Sequence, residues 1–251
     1  MAGLRRRFSL MSRRARQKPW RALGRVTLRL IRGGALAASV FVLSSVVLVD
    51  LAGLIGVPPS ILMGQRALAG ENVRRDAVPI ERISPHLIAA VIGAEDSRFC
   101  THDGFDTEAI REALANLRAG GQRRGASTIS QQTAKNVFLW NGGGWVRKGF
   151  EVWFTVLIEA SWPKRRILEA YLNIAEWGDG IFGAEAAAQA RFGVSAADLT
   201  PYQAALLASV LPNPHDWRVD PPGQYVSGRA GTLQARAGVV RREGYAACVL
   251  G

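Results

Sequence analysis

The sequence has only two cysteines, Cys100 and Cys248, and three histidines, His86, His102 and His215. Two cysteines are too few for a disulfide scaffold, their wide separation says little, and no structural role is expected of them. The histidines are scattered and lack a second ligand at helical spacing, so no metal-ligand cluster is legible. Period-two alternation is nearly absent, which argues against a fold built on strands. No internal repeat shows. Acidic residues are missing altogether from residues 1–32, which hold eleven Lys or Arg. The rest of the chain carries 21 basic against 20 acidic residues and is close to neutral. The net charge of +12 therefore belongs to an N-terminal arm. A basic arm alone would fit a nucleic-acid partner. The segment that follows it argues for no nucleic acid.

Gly33 to Val49 carries no charge, and after Asp50 the apolar character resumes to Val57. About 25 such residues suffice for one membrane span. Arginines cluster on one side only, which places the N-terminus in the cytoplasm. A cleaved signal peptide is the first alternative, but the apolar run is long and lacks a clear A-x-A exit. A buried core helix is the second, and the arginine-rich lead argues against it. The organisation expected is a basic cytoplasmic arm (1–32), a transmembrane helix (33–57), a linker (58–77), a catalytic domain (78–220) and a C-terminal extension (221–251).

From about Val78 the pattern is helical. Ser84-Pro85 is a helix start, with Ser as cap and Pro in the first turn. Thr128 and Gln131 have capping-box spacing for a helix to about Leu139. Arg147 to Trp162 reads as a strongly apolar helix stopped by Pro163, and Lys164 to about Glu176 as another. Thr200-Pro201 opens a helix through Leu211, stopped by Pro212. The fold expected is mostly α-helical on a single anchor.

Four stretches could carry chemistry. In the first, Ile88, Val91, Ile92, Glu95 and Phe99 fall on one helical stripe, with Asp96 beside it. A carboxylate on a buried stripe has its charged form disfavoured, which suits a general base near neutral pH. The same placement also fits a helix-terminal glutamate that simply reaches solvent. In the second, Thr128, Gln131 and Lys135 share a face behind the small residues Gly125, Ala126 and Ser127. A helix N-terminus there could hold a phosphate or sugar hydroxyls; an ordinary capped surface helix fits as well. In the third, Arg147, Lys148 and Glu151 stand at i, i+1 and i+4. Their spacing fits a solvated ion pair. They open a helix that is apolar nearly all round, and two cations beside a carboxylate would suit a diphosphate leaving group. The fourth, Ile167 to Asn173, is mostly a core stripe, with Asn173 as the exception.

Together these stretches resemble the glycosyltransferase domain of peptidoglycan polymerases, the family 51 transglycosylases. The family's EDxxFxxHxG motif is matched by Glu95, Asp96, Phe99, His102 and Gly104, and its GGSTITQQ motif appears as GASTISQQ, with Ala126 and Ser130 as departures. RKxxE is met by Arg147, Lys148 and Glu151, and ILExYLN by Ile167 to Asn173. The ordered set spans about residues 78 to 218. One N-terminal span with only some thirty residues after Asp220 is similar to the monofunctional members, which lack a penicillin-binding domain.

The resemblance implies a lysozyme-like helical glycosyltransferase domain that polymerises lipid II. The GlcNAc 4-OH of one lipid II attacks C1 of MurNAc on the growing lipid-linked glycan, with inversion and loss of undecaprenyl diphosphate. Glu95 and Glu151 are then the catalytic pair, with Glu95 as general base. Lys135, Arg147 and Lys148 would hold the sugar–diphosphate end, and Ser127, Gln131 and Gln132 would line the cleft. Asp96, Phe99, His102, Thr128 and Asn173 complete the expected binding residues. No cofactor is required; a divalent cation would at most stimulate by bridging diphosphate. The partners implied are lipid II, the growing glycan, the membrane and other cell-wall synthesis proteins. The site implied is the inner membrane, with a periplasmic or extracellular catalytic domain. Arg111, Arg118, Arg123 and Arg124 are expected at anionic headgroups, and Trp140 and Trp145 at the interface. Many relatives carry a cation where this chain has Gly142-Gly143-Gly144, a departure that would weaken donor binding or loosen the loop. A lytic transglycosylase and a non-catalytic cell-wall scaffold are the rival readings.

Overall fold

The computed structural model describes residues 18–56, 58–121 and 125–251, with side chains from residue 26 onward. Residues 1–17 of the basic arm, Val57, and Arg123 and Arg124 lie outside the described residues. Helix α1 runs Lys18–Leu54. Its 29-residue stretch Val26–Leu54 is long and apolar enough to cross a membrane. The chain divides into an N-terminal unit through Leu48 and a second unit from Val49.

The second unit is built around α3 (Pro85–Glu95). Ser84 caps it by accepting from His86 N–H at 3.3 Å, and Pro85 occupies its first turn. Every residue from Leu87 to Gly93 is buried. A helix apolar all round must be enclosed on all sides. Helices α9 (Pro201–Val210) and α10 (Gln224–Arg242) do this, packing on α3 and on each other. Gly93 admits α10 closely: a Cβ there would lie 3.4 Å from side-chain atoms of Arg236 and Val240.

A second helical group joins α5 (Ile129–Phe138), α6 (Gly144–Ser161) and α7 (Lys164–Ile174). Helix α4 (Thr107–Arg118) has no buried residue and runs along the surface. A small sheet completes the unit. Strand β1 (Arg74–Arg75) pairs parallel with β3 (Ile181–Phe182), which pairs antiparallel with β2 (Glu176–Gly178). Helix α8 (Ala184–Phe192) follows β3.

The segments expected as linker and extension are built into this unit. Residues 58–77 contain α2 (Ile61–Leu68), whose Met63 joins a small apolar cluster with Val137, Ile174 and Phe182. Residues 221–251 contain α10, whose Val226, Ala230, Leu233 and Val240 belong to the main core. The end of α1 also packs here. Trp162 Nε1 donates to the Val49 carbonyl at 3.0 Å, and Arg166 to that of Ala52 at 2.9 Å.

The cysteines overturn the expectation of no structural role: Cys100 and Cys248 form a disulfide. Separation in sequence says nothing about the path of the chain. Helix α10 runs back along α3, with Arg236 at Gly93 and Arg241 at His86. After the turn at Gly244, α11 (Ala247–Leu250) packs on α7, where Arg165 donates to the Val249 carbonyl. That return carries Cys248 to Cys100.

Candidate active site

Helix α3 ends at Glu95, and Asp96 is its C-cap residue. The stripe expected to run on to Phe99 is broken there, because Phe99 starts a separate short helical turn, Phe99–Thr101. Phe99 is fully buried, with Lys164 Nζ 4.7 Å from its ring centroid, and belongs to the architecture below the site. Asp96 is the more buried of the adjacent acids. Its carboxylate accepts from His102 Nε2 at 2.9 and 3.1 Å and from the backbone N–H of Ile129 at 3.0 Å. That N–H is the first of α5. The helix terminus expected to attract a ligand anion thus holds the protein's own carboxylate.

Glu95 is half-buried. It accepts a hydrogen bond from Gln132 Nε2 at 2.9 Å. Burial holds its pKa above the ordinary carboxylate value; the Gln132 bond and the Arg229 charge oppose this, and Asp96 reinforces it. The sequence expectation of a proton-affine Glu95 therefore agrees with its surroundings.

Capping fixes the start of α5. Gln131 N–H donates to Thr128 Oγ1 at 3.2 Å, and Thr128 N–H to Gln131 Oε1 at 3.0 Å. Thr128 Oγ1 also donates to the Gly104 carbonyl at 2.6 Å. Gly104 has φ 87°, and a Cβ there would meet Thr155 at 2.8 Å, so glycine is required. Gln131, expected to line the cleft, is buried and consumed by the cap. Thr128 is buried too, yet borders the cavity described below. Asn173 is likewise architecture. It is buried, and its amide bonds both the N–H and the carbonyl of Val78 at 2.9 Å.

At the other pole, Glu151 is 4% exposed. Arg147 donates to it at 2.7 Å, and Lys148 Nζ donates to its other oxygen. Arg147 Nε also donates to the Gly142 carbonyl at 2.6 Å. Gly142, Gly143 and Gly144 all have positive φ, and a Cβ at Gly143 would lie 2.9 Å from Arg147 Cβ. The triple-glycine departure is thus a tight turn gripped by Arg147. Burial lowers the pKa of Lys135; Glu151 opposes this, while Arg147 and Lys148 add to it.

Two cavities meet this apparatus. One of about 330 Å³ is lined by Glu95, Asp96, Ser127, Thr128 and Arg236. Another, of about 150 Å³, is lined by Gln132, Lys135, Asn136, Tyr171 and Pro214. Gln132 stands at their junction: it donates to Glu95 in the first and lines the second.

Three further residues reach the site, Tyr171 from the expected core stripe and two arginines from the expected C-terminal extension. Tyr171 is buried, with its hydroxyl 3.4 Å from Gln132 Oε1. Burial raises its pKa well above the ordinary value, and Glu95 and Asp96 add to this. Arg229 and Arg236 stand seven residues apart on α10 and face the site, Arg229 through its charge on Glu95 and Arg236 in the wall of the larger cavity.

Asp96, His102 and Asp106 bring three potential metal-ligand atoms within 4.8 Å of one another. The group does not fit a resident ion. Asp96 and His102 bond each other, and Asp106 is held by Arg98 at 2.8 Å and caps α4 through Ala109 N–H at 2.8 Å.

Comparison with known proteins places these features in context. A family model described as Transglycosylase matches residues 63–237. A biosynthetic peptidoglycan transglycosylase of Rhodospirillum centenum is 58% identical over 194 residues, covering 77% of this chain and 84% of the relative. That of Caulobacter vibrioides is 51% identical over 228 residues, covering 90% of this chain and all of the relative. That of Stutzerimonas stutzeri is 52% identical over 196 residues, covering 76% and 81%.

Proposed function

Because the chain belongs to the transglycosylase family and is a peptidoglycan glycosyltransferase, we propose that it polymerises lipid II into β-1,4 glycan strands with inversion at MurNAc C1. The observation that carries this reading is the place of Gln132, between a proton-affine carboxylate and a cavity walled by Lys135. Glu95 takes the proton of the acceptor's GlcNAc 4-OH, and the freed oxygen attacks C1 of the donor MurNAc. The C1–O bond to diphosphate breaks, and the departing charge meets Lys135, Arg147 and Lys148. Glu151 holds the last two in place. Arg229 and Arg236 lie on the Glu95 side, where an acceptor's own diphosphate needs cations.

Glu151 is already shared by two cations. Stimulation by a divalent ion would act through the diphosphate itself. The span in α1 anchors the enzyme in the inner membrane with its N-terminus in the cytoplasm, and the catalytic unit lies outside. The disulfide supports this, because such bonds persist in oxidising compartments. Exposed Trp140 and Trp145, and the exposed α4 side chains Leu114, Arg111 and Arg118, suit a lipid interface where the substrate's tail resides. Other cell-wall synthesis proteins are the partners expected there.

The test is polymer formation from labelled lipid II in detergent or bilayers. Absence of polymer, under conditions in which a related polymerase works, counts against the reading. A lytic transglycosylase would instead shorten preformed glycan, a reaction that needs no cationic group around Lys135.

A further inference from the structure

Trp217 and Tyr225 form an aromatic pair that the reaction described above does not use. Their ring centroids lie 4.7 Å apart with the planes tilted by 53°. Tyr225 is 58% exposed, and Trp217 is half-buried. Large aromatics at a surface ordinarily turn one apolar face inward. Trp217 does so, packing against the main core, while Tyr225 beside it stays open to solvent, and both stand on supports that are firmly held. Trp217 N–H donates to the Asn213 carbonyl at 3.2 Å, and two residues later Val219 is sunk in the core. Tyr225 stands in the first turn of α10, whose next residue, Val226, is buried.

Their position gives the pair its meaning. Tyr225 is one turn from Arg229 on α10, and Arg236 follows two turns later. Residues at i and i+4 on a helix are surface neighbours. Tyr225, Arg229 and Arg236 thus make one stripe past Glu95, on which Arg229 acts by its charge and beside which Arg236 walls a cavity. Arg229 Nε is buried and has no hydrogen-bond partner among the described residues. On the other side, Pro214, three residues before Trp217, lines the cavity that contains Lys135 and Gln132. The pair therefore sits between segments that border the two cavities.

We propose that Trp217 and Tyr225 are a saccharide-stacking platform, on which an N-acetylated hexopyranose ring of the glycan lies with its C–H face against the aromatic rings. The proposal rests on the glycan-polymerising reading. The occupant follows from the stripe that Tyr225 shares with Arg229 and Arg236 on α10, which leads towards Glu95. The C–H bonds on one face of a β-linked pyranose carry partial positive charge, and an aromatic ring presents negative charge on its face. The sugar ring can come from the acceptor lipid II or from the growing strand.

The experiment uses the full-length protein with Tyr225→Ala and Trp217→Ala, alongside Tyr225→Phe and Trp217→Phe. Wild-type polymer formation establishes the underlying reading first. The first coupling is then followed with lipid II alone, and elongation with a preformed lipid-linked tetrasaccharide; product length is read on gels. The alanine variants are expected to raise KM about fivefold, the size of one aromatic contact, and to shorten the strands, with the loss in KM rather than in kcat at saturation. The phenylalanine variants retain stacking and restore both. A rise in the KM for lipid II in both assays assigns the acceptor ring, since lipid II is the acceptor in each, and a rise in the KM for the tetrasaccharide alone assigns the strand. Unchanged KM and strand length in both alanine variants overturns the platform. So does an equal loss in the phenylalanine variants accompanied by a lowered Tm, which would mark a packing role.

Discussion

The Glu95 carboxylate is held at 2.9 Å by the side-chain amide of Gln132, a residue of a different helix. The base candidate comes from α3 and its anchor from α5, so the two helical groups meet in one hydrogen bond. Gln132 is oriented in turn by the buried Tyr171 hydroxyl at 3.4 Å. Asp96 repeats the arrangement one residue on, reaching from the end of α3 to the first N–H of α5. The adjacent acids divide the work: one is bound up by the fold, and the other stays open to the cavity.

Glu95→Gln should lower turnover on lipid II about 100- to 10,000-fold, the usual contribution of a positioned base. The thermal midpoint should hold, because the substitution removes a charge that burial disfavours. Wild-type turnover in this variant would remove Glu95 as the base.

The pH profile should be narrowed on both sides. A base acts deprotonated, and burial raises the Glu95 pKa, so activity falls with acidification beginning above the ordinary carboxylate range. Lys135 acts as a cation, and burial lowers its pKa, so its charge is lost below the ordinary lysine range as pH rises. Measuring kcat/KM against pH for wild type and Lys135→Arg checks the second limb. The arginine should move it to higher pH, and an unmoved alkaline limb would assign it elsewhere.

Asp96→Asn should damage activity less than Glu95→Gln but cost more stability. Asparagine keeps the shape and loses the charge that serves His102 Nε2 and the Ile129 N–H. Charge-assisted bonds of this type contribute about 1.5–3 kcal/mol. Urea denaturation should show a loss of that order. If Asp96→Asn is deader than Glu95→Gln while fully folded, the roles of the pair are reversed.

Reducing the disulfide, or replacing Cys248 by serine, should destabilise the protein by about 2–5 kcal/mol, as for other long closed loops. The comparison is between denaturation midpoints with and without reductant. Equal midpoints would show that the bond between Cys100 and Cys248 adds nothing.

Features carried by local hydrogen bonds were legible in the sequence. The Thr128–Gln131 box and the Ser84-Pro85 start involve neighbours, and both are present in the structure. Thr200 with Gln203 caps α9 in the same way. Features made by distant segments were not. Asp96 meets Ile129 across 33 positions, Cys100 meets Cys248 across 148, and Arg229 acts on Glu95 from a segment expected to lie outside the domain. Motif matching also placed Phe99, Gln131 and Asn173 among the binding residues. All three are buried in packing or hydrogen bonds that hold the site. A motif records the frame of a site together with its tools, and spacing alone does not separate them.

The bond between Cys100 and Cys248 makes residues 100 to 248 a closed ring. His102, the α5 residues, the Arg147–Glu151 group, the aromatic pair and Arg229 all lie on that ring, and Glu95 hangs from it by five residues. A single peptide cut anywhere in the ring leaves one molecule, since both new ends stay tethered through the two sulfurs. In a compartment shared with proteases, such a nick would scar the catalytic machinery without dispersing it.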